Sequence, residues 1–192
     1  YAEVYKKQDS MFVTKRAVAV NFVENDSVYI HGKKLMVTGK EGNRIIRAFN
    51  NVRFYKTDMS GKCDSIHSST KTALTKLIGN PILWNAENQI TGDIMHLIGD
   101  SKTEKLDSLK VLNNTFIVSK DTLGTGFNQV KGQDLFGKFK DGKLHDVDII
   151  KNTEVIYYMR NDDKELIGIN KNKSSKINII FDSHDKAGWQ LK

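Results

Sequence analysis

Apolar and polar residues alternate along most of this chain, and the alternation breaks at regular places where Asn or Gly stands. Four segments share the phrase: Ile46 to Phe54, Thr75 to Leu83, Leu109 to Ile117 and Val147 to Val155. Their aligned asparagines, Asn51, Asn80, Asn114 and Asn152, lie 29, 34 and 38 residues apart. A step that varies over this range predicts stacked β-units joined by turns of elastic length.

Within each phrase the positions five and three before the Asn are Ile46/Ala48, Thr75/Leu77, Leu109/Val111 and Val147/Ile149, with Arg47, Lys76, Lys110 and Asp148 between them. Side chains alternate faces along a strand, so the first set is predicted to point inward and the second into water. The parity continues after the Asn through Val52/Phe54, Pro81/Leu83, Thr115/Ile117 and Thr153/Val155. The position two before the Asn is also apolar every time (Phe49, Ile78, Leu112, Ile150), against the alternation. That deviation predicts a corner or bulge at which the strand bends from one sheet onto another. Pro81 marks a place where no amide donor is needed.

Turn-forming clusters follow each phrase, among them Asp58-Met59-Ser60-Gly61, Asn85-Ala86-Glu87-Asn88 and Asn161-Asp162-Asp163-Lys164. Return strands follow them, running through Ile66-His67, Met95-His96 and Val130-Lys131. The stretches Phe12 to Phe22 and Ile177 to Phe181 read as further strands capping the stack, and Leu166 to Asn170 matches the repeat only weakly. The expected organisation is one β-repeat domain over 1–181 and a C-terminal tail over 182–192. The expected fold class is all-β, with repeated antiparallel hairpins in an elongated jelly roll or folded-over trough.

Composition adds limits. The 192 residues, 39% hydrophobic, are enough to bury one core, and no run approaches the ~18 apolar residues of a membrane helix. A lone cysteine, Cys63, allows neither an internal disulfide nor a cysteine-based zinc site. The formal net charge of +7 favours acidic partners, but the Lys and Arg residues are scattered singly, with no basic run or nucleic-acid motif, so no nucleic acid is expected. Tyr1 is no initiator residue, so a mature or trimmed form is expected, from which a secretory signal could have been removed without trace.

Catalytic patterns are not found. His67 and His96 share a register in consecutive repeats and are expected to sit near each other as an ordinary surface pair, since two imidazoles make a poor metal site. Asp162 with Asp163, and Asp141 with Asp146, fall in turns where Asp is common for backbone reasons. Tyr55, Trp84, Tyr157 and Tyr158 are strand residues that as a set could rim an amphipathic groove. No enzyme, metal or cofactor is expected.

The run Gly79-Asn80-Pro81-Ile82-Leu83-Trp84, followed by Asn88-Gln89-Ile90-Thr91-Gly92-Asp93 and set among the spaced repeats, resembles the OstA/LptA-type proteins of lipopolysaccharide export, especially the OstA-like proteins of the Bacteroidetes. The resemblance covers about residues 10 to 181. It implies a β-jelly-roll, or β-taco, in the periplasm, whose apolar trough shields lipid acyl chains on the way to the outer membrane. The implied partners are lipopolysaccharide or a related anionic lipid and other lipopolysaccharide-transport proteins. On this reading the trough is lined by Ile46, Ala48, Val52, Phe54, Leu77, Leu83, Leu109, Val111, Ile117, Val147, Ile149 and Val155. Lys151, standing where other repeats have Asn or Gly, departs from the pattern.

Two other readings compete. A closed core would make the chain a non-lipid β-repeat scaffold that binds protein or anionic glycan, and net charge alone would allow an anionic-polymer binder. The unpaired backbone edges of the first and last strands, Phe12 to Val20 and Lys176 to Phe181, predict head-to-tail association into homo-oligomers.

Overall fold

The computed structural model describes residues 2–5, 9–23, 26–100, 102–103, 105–121, 123–181 and 189–191. The described secondary structure is all-β. The strands in chain order are β1 (Ala2–Tyr5), β2 (Ser10–Val23), β3 (Asp26–Thr38), β4 (Ile45–Lys56), β5 (Met59–Ser69), β6 (Leu74–Ile78), β7 (Ile82–Asn85), β8 (Asn88–Thr91), β9 (Ile94–Gly99), β10 (Leu106–Leu112), β11 (Thr115–Lys120), β12 (Phe127–Gly132), β13 (Asp134–Lys140), β14 (Lys143–Arg160), β15 (Leu166–Phe181) and β16 (Trp189–Leu191). All sixteen join one antiparallel network.

The network is creased along one line. On β2, β4 and β14 a register shift interrupts the ladder, and at each shift two residues face one: Lys15-Arg16 opposite Lys33, Asn50-Asn51 opposite Asp64, and Lys151-Asn152 opposite Ser175. Further along, the break is complete, so that β6 and β7, β8 and β9, β10 and β11, and β12 and β13 are the two halves of single interrupted strands. This is why β5 pairs with β6 through Ser65 to Ser69 and with β7 through Met59 to Lys62. Backbone bonds across the break, from Asp64 N to Gly79 O at 3.2 Å and from Asp93 N to Asn113 O at 3.2 Å, hold neighbouring strands in step.

Ten crease residues share one conformation. Lys15 and Arg16 (φ 62 and 54), Asn50 and Asn51 (65 and 56), Gly79 and Asn80 (82 and 50), Asn113 and Asn114 (59 and 51), and Lys151 and Asn152 (63 and 52) are left-handed pairs. Asn and Gly enter this region at little cost, while an ordinary side chain loses roughly 1–2 kcal/mol per residue. The aligned Asn therefore marks the bend itself, and Lys151 is held in the same conformation as its Asn counterparts. The Lys15-Arg16 corner carries no Asn or Gly and is a fifth unit that the repeat pattern does not announce.

The crease defines two halves. The front half holds residues 10–14, 34–38, 45–49, 65–69, 74–78, 94–99, 106–112, 134–140, 143–150 and 176–181; the back half holds 17–23, 26–32, 52–56, 59–62, 82–85, 88–91, 115–120, 127–132, 153–160 and 166–174. Their apolar faces form one core cluster in which Ala48, Leu77, Leu83, Ile90, Met95, Val111, Ile117 and Leu135 have no exposure. Residues at the odd position two before the Asn lie on the outside beside the crease, with Ile78 exposed and Phe49, Leu112 and Ile150 half-buried. Pro81 occupies the gap between β6 and β7, where no ladder bond is asked of it.

The two ends differ from the expectation. The front half of β2 is covered by β1, which pairs Ala2 to Tyr5 with Ser10 to Val13, and β16 covers Ile179 to Phe181. Lys176 to Phe181 is thus partly covered, and part of the stretch read as a tail, Trp189–Leu191, is a strand; residues 182–188 and 192 lie outside the described residues. Leu166 to Asn170, a weak match to the repeat, belongs to a strand that pairs along nearly the full length of β14. Among the described residues, the longer edges without a partner strand are in the back half, Ala17 to Val23 of β2 and Leu166 to Ser174 of β15, while Lys176 to Asn178 is a short uncovered edge in the front half.

The left-handed pairs make a measurable demand on side-chain type. Arg16→Asn is expected to stabilise the fold by up to about 1 kcal/mol, and Asn51→Val to destabilise it by about 1–2 kcal/mol, because a β-branched residue is a true outlier at positive φ. Urea unfolding followed by circular dichroism reads both, and equal effects at both positions would show that the crease does not impose the conformation.

Candidate functional site: the apolar interior

The inner faces are ladders of apolar side chains fixed by register. In the front half one row runs Val13, Leu35, Ala48, Ile66, Leu77, Met95, Val111, Leu135, Ile149, Ile177, each directly opposite the next across a strand pair. In the back half the corresponding row runs Ala19, Ile30, Phe54, Gly61, Leu83, Ile90, Ile117, Val130, Val155. Gly61 is required where it stands, because a Cβ there would overlap the Phe54 ring. Burying each large side chain in such rows contributes about 1.5–3 kcal/mol before the entropy of ordering is counted.

The structure places the twelve residues read as trough-lining on these inner faces. Ile46, Ala48, Leu77, Leu109, Val111, Val147 and Ile149 are in the front half, and Val52, Phe54, Leu83, Ile117 and Val155 are in the back half. All are buried except Ile46, which is half-buried. They pack against one another across the interior rather than lining open space. Arg53, between Val52 and Phe54, is exposed on the opposite face.

Toward the hairpin tips the inner row of the back half changes from apolar to polar, which the repeat pattern did not foretell. Asn85, Asn88, Ser119 and Asn128 face one another in register and are all buried. Asn85 joins the two halves opposite the crease: its Nδ2 donates to Asp58 O at 2.9 Å and to Gly142 O at 3.2 Å, and its Oδ1 accepts from Leu144 N at 3.0 Å. Gly142 belongs to the tight β13–β14 turn, where Asp141 and Gly142 both have positive φ. Asn128 Oδ1 accepts from Tyr158 N at 3.0 Å. The only signal in sequence was polar residues at inward parity, which resembles ordinary turn chemistry.

Other candidate groups have structural explanations. Cys63 is buried and its thiol donates to Ser65 O at 3.3 Å; burial pushes its pKa up to about 11, so it is a poor nucleophile at neutral pH. Asp146 accepts from Asn178 Nδ2 at 2.8 Å, and Asp162 and Asp163 are exposed in the β14–β15 turn. Among the described residues no three of His, Cys, Asp and Glu converge as metal ligands, and no helix is long and apolar enough to cross a membrane. The four aromatics separate: Tyr157 packs against the core and Tyr158 lies against Gly126, while Tyr55 and Trp84 flank a groove on the outside.

The two histidines are not adjacent. Strand β6 runs between theirs, so the outer row of the front half reads Arg47, His67, Lys76, His96, Lys110 in direct register. Burial and then the neighbouring cations, Arg47 and Lys76 for His67 and Lys76 and Lys110 for His96, hold both imidazoles below their ordinary pKa. Comparison with protein-family models finds no match, and no curated protein matches the chain.

The histidine ladder gives stability a defined pH dependence. A base whose pKa is lower in the folded state binds fewer protons there than in the unfolded chain, so its contribution is intact above the unfolded pKa of ~6.5 and is lost as pH falls through and below it. Chemical denaturation between pH 7.5 and 5 (about one unit either side of that ordinary value) is expected to show falling stability, and His67→Gln/His96→Gln to flatten the fall. An unchanged slope in the double variant would assign the effect to other groups.

Proposed function

We propose that this protein is a non-enzymatic carrier or bridge segment for an amphipathic anionic lipid of the lipopolysaccharide type, working in the periplasm with the β-taco geometry that its sequence resemblance implies. The observation that carries the reading is the continuous apolar interior between two halves whose backbone is shared along the crease and which meet on the other side through hairpin tips. An acyl chain inserted there would gain about 0.8 kcal/mol per buried methylene. Lipid enters as the tips part about the crease, and the Asn85 hydrogen bonds to Gly142 O and Leu144 N of the β13–β14 turn oppose that parting.

The ends of the stack support a bridge. Both longer edges without a partner strand carry exposed aliphatic residues, Val18 (56%) and Val20 (47%) at one end and Leu166 (51%), Ile167 (63%) and Ile169 (56%) at the other. An open edge with apolar flanks accepts a strand from another chain, and an end-to-end contact does not close on itself. The resulting assembly is a head-to-tail homo-oligomer or a junction with another transport protein.

The complete burial of the inner rows favours a second reading, a scaffold whose core never opens. Site-specific photo-crosslinkers separate the two. With lipopolysaccharide present, crosslinkers at Phe54, Leu83 and Ile117 are expected to capture lipid and one at the outward-facing Phe136 is not. Asn85→Ala, which leaves Leu144 N and two carbonyls without their partner at a cost of roughly 1–3 kcal/mol, is expected to speed capture. Equal labelling at Phe54 and Phe136, or none at any inner position, selects the scaffold.

Edge association has its own measurement. Analytical ultracentrifugation over a wide concentration range is expected to show oligomers that Ile167→Lys/Ile169→Lys abolishes, since edge lysines are a natural block to strand addition. A parent chain that stays monomeric throughout and assembles with no partner would remove the bridge.

A further inference from the structure

On the outer face of the back half, away from the apolar interior, a groove of about 510 Å³ is lined by Tyr29, Tyr55, Trp84, His31, Arg53 and Lys62. Register explains its shape. Tyr29 is directly opposite Tyr55, Tyr55 opposite Ser60, and Ser60 opposite Trp84. Tyr55 and Trp84 thus stand two strand spacings apart, ~9.6 Å, with the small Ser60 as floor between them. Tyr29 and Tyr55 are 45% and 57% exposed, so their rings are presented to solvent.

The neighbouring row supplies charge. His31 is opposite Arg53, and Arg53 is opposite Lys62, whose ammonium lies 6.0 Å from the centre of the Trp84 ring. A carbonyl only accepts, so the 3.0 Å contact between His31 Nδ1 and Ala17 O fixes the proton on Nδ1 and leaves Nε2 as the second ring nitrogen. Like charges directly across a strand pair cost stability. Among the described residues the two rows, from Val18 and Val20 on β2 to Ile82 and Trp84 on β7, contain no Asp or Glu, and Arg53 and Lys62 form no ion pair. The nearest acid along the strand is Asp64, two residues beyond Lys62 on the same outward face of β5, and it forms no ion pair with Lys62 or Arg53.

We propose that this groove binds a single sugar ring carrying an anionic group, a phosphate or carboxylate. The C–H face of a pyranose is apolar and fits between aromatic walls one ring apart, while Arg53 and Lys62 take the negative charge at its side. A single-stranded nucleic acid fits less well, because it needs successive stacking platforms and a basic track that follows its backbone, and here there is one cleft with cations along one side. The site is separate from the interior, and its loss leaves the lipid reading intact.

Tryptophan fluorescence tests it. Trp189→Phe makes Trp84 the sole indole, since the chain has two tryptophans. Glucose 6-phosphate and glucuronate are expected to give saturable changes in the millimolar range or below, with plain glucose and inorganic phosphate each roughly tenfold weaker or more. Arg53→Gln should remove the preference for the charged sugar, and Ser60→Leu should fill the cleft and abolish binding while the melting temperature holds. Absence of saturation with both charged sugars, an equal response to inorganic phosphate, or tighter binding of oligothymidylate would overturn the proposal.

Discussion

The left-handed backbone pair at each crease is the constraint from which the remainder of the structure follows. An antiparallel ladder of long strands would otherwise twist as a single open sheet with one face in water. Two consecutive residues at positive φ insert an unmatched step and bend the strand, and five such pairs stacked across the ladder make the bends coincide. Both inner faces can then be buried against each other. Lys15, Arg16 and Lys151 adopt the conformation although their side chains disfavour it, which shows that the collective fold, not local preference, sets the backbone there.

Burial of the two inner faces makes register strict. A slip of one residue on any strand would exchange Leu77 for Lys76 or Leu109 for Lys110 at the interior, so hydrophobic contact and charge solvation enforce the same alignment. The polar row at Asn85, Asn88, Ser119 and Asn128 is a different kind of constraint. Such groups are costly inside unless paired, and Asn85 meets that condition by binding the β13–β14 turn from the other side of the interior and the β4–β5 turn on its own side. The edge opposite the crease is thereby held by a few directional bonds, while the crease is held by covalent chain.

The outer faces have their own order. Because strands in register bring equivalent positions side by side, scattered lysines and histidines become rows: Arg47 to Lys110 on the front, His31 to Lys62 on the back. These rows concentrate the net charge of +7 on surfaces rather than spreading it evenly. The acids lie mainly in turns, at the crease and toward the β14 end, where Glu154 pairs with Lys131 and Lys173 and Asp148 with Lys176.

The sequence by itself determined the strand class, the repeat and the inward parity, because alternation has period two in any β-strand and Asn or Gly is the inexpensive occupant of a left-handed bend. Eleven of the twelve inward residues read from that parity are buried. Tertiary structure decided what parity does not encode. It put β6 between the strands of His67 and His96, because a returning strand pairs with the strand before it and not with its repeat equivalent. It covered much of the front edges with β1 and β16, short segments whose pairing is unrelated to the repeat. It also turned Asn85 into a bridge and Tyr55 and Trp84 into the walls of one cleft, since residues far apart along the chain meet only when register and the crease have fixed which strands are neighbours.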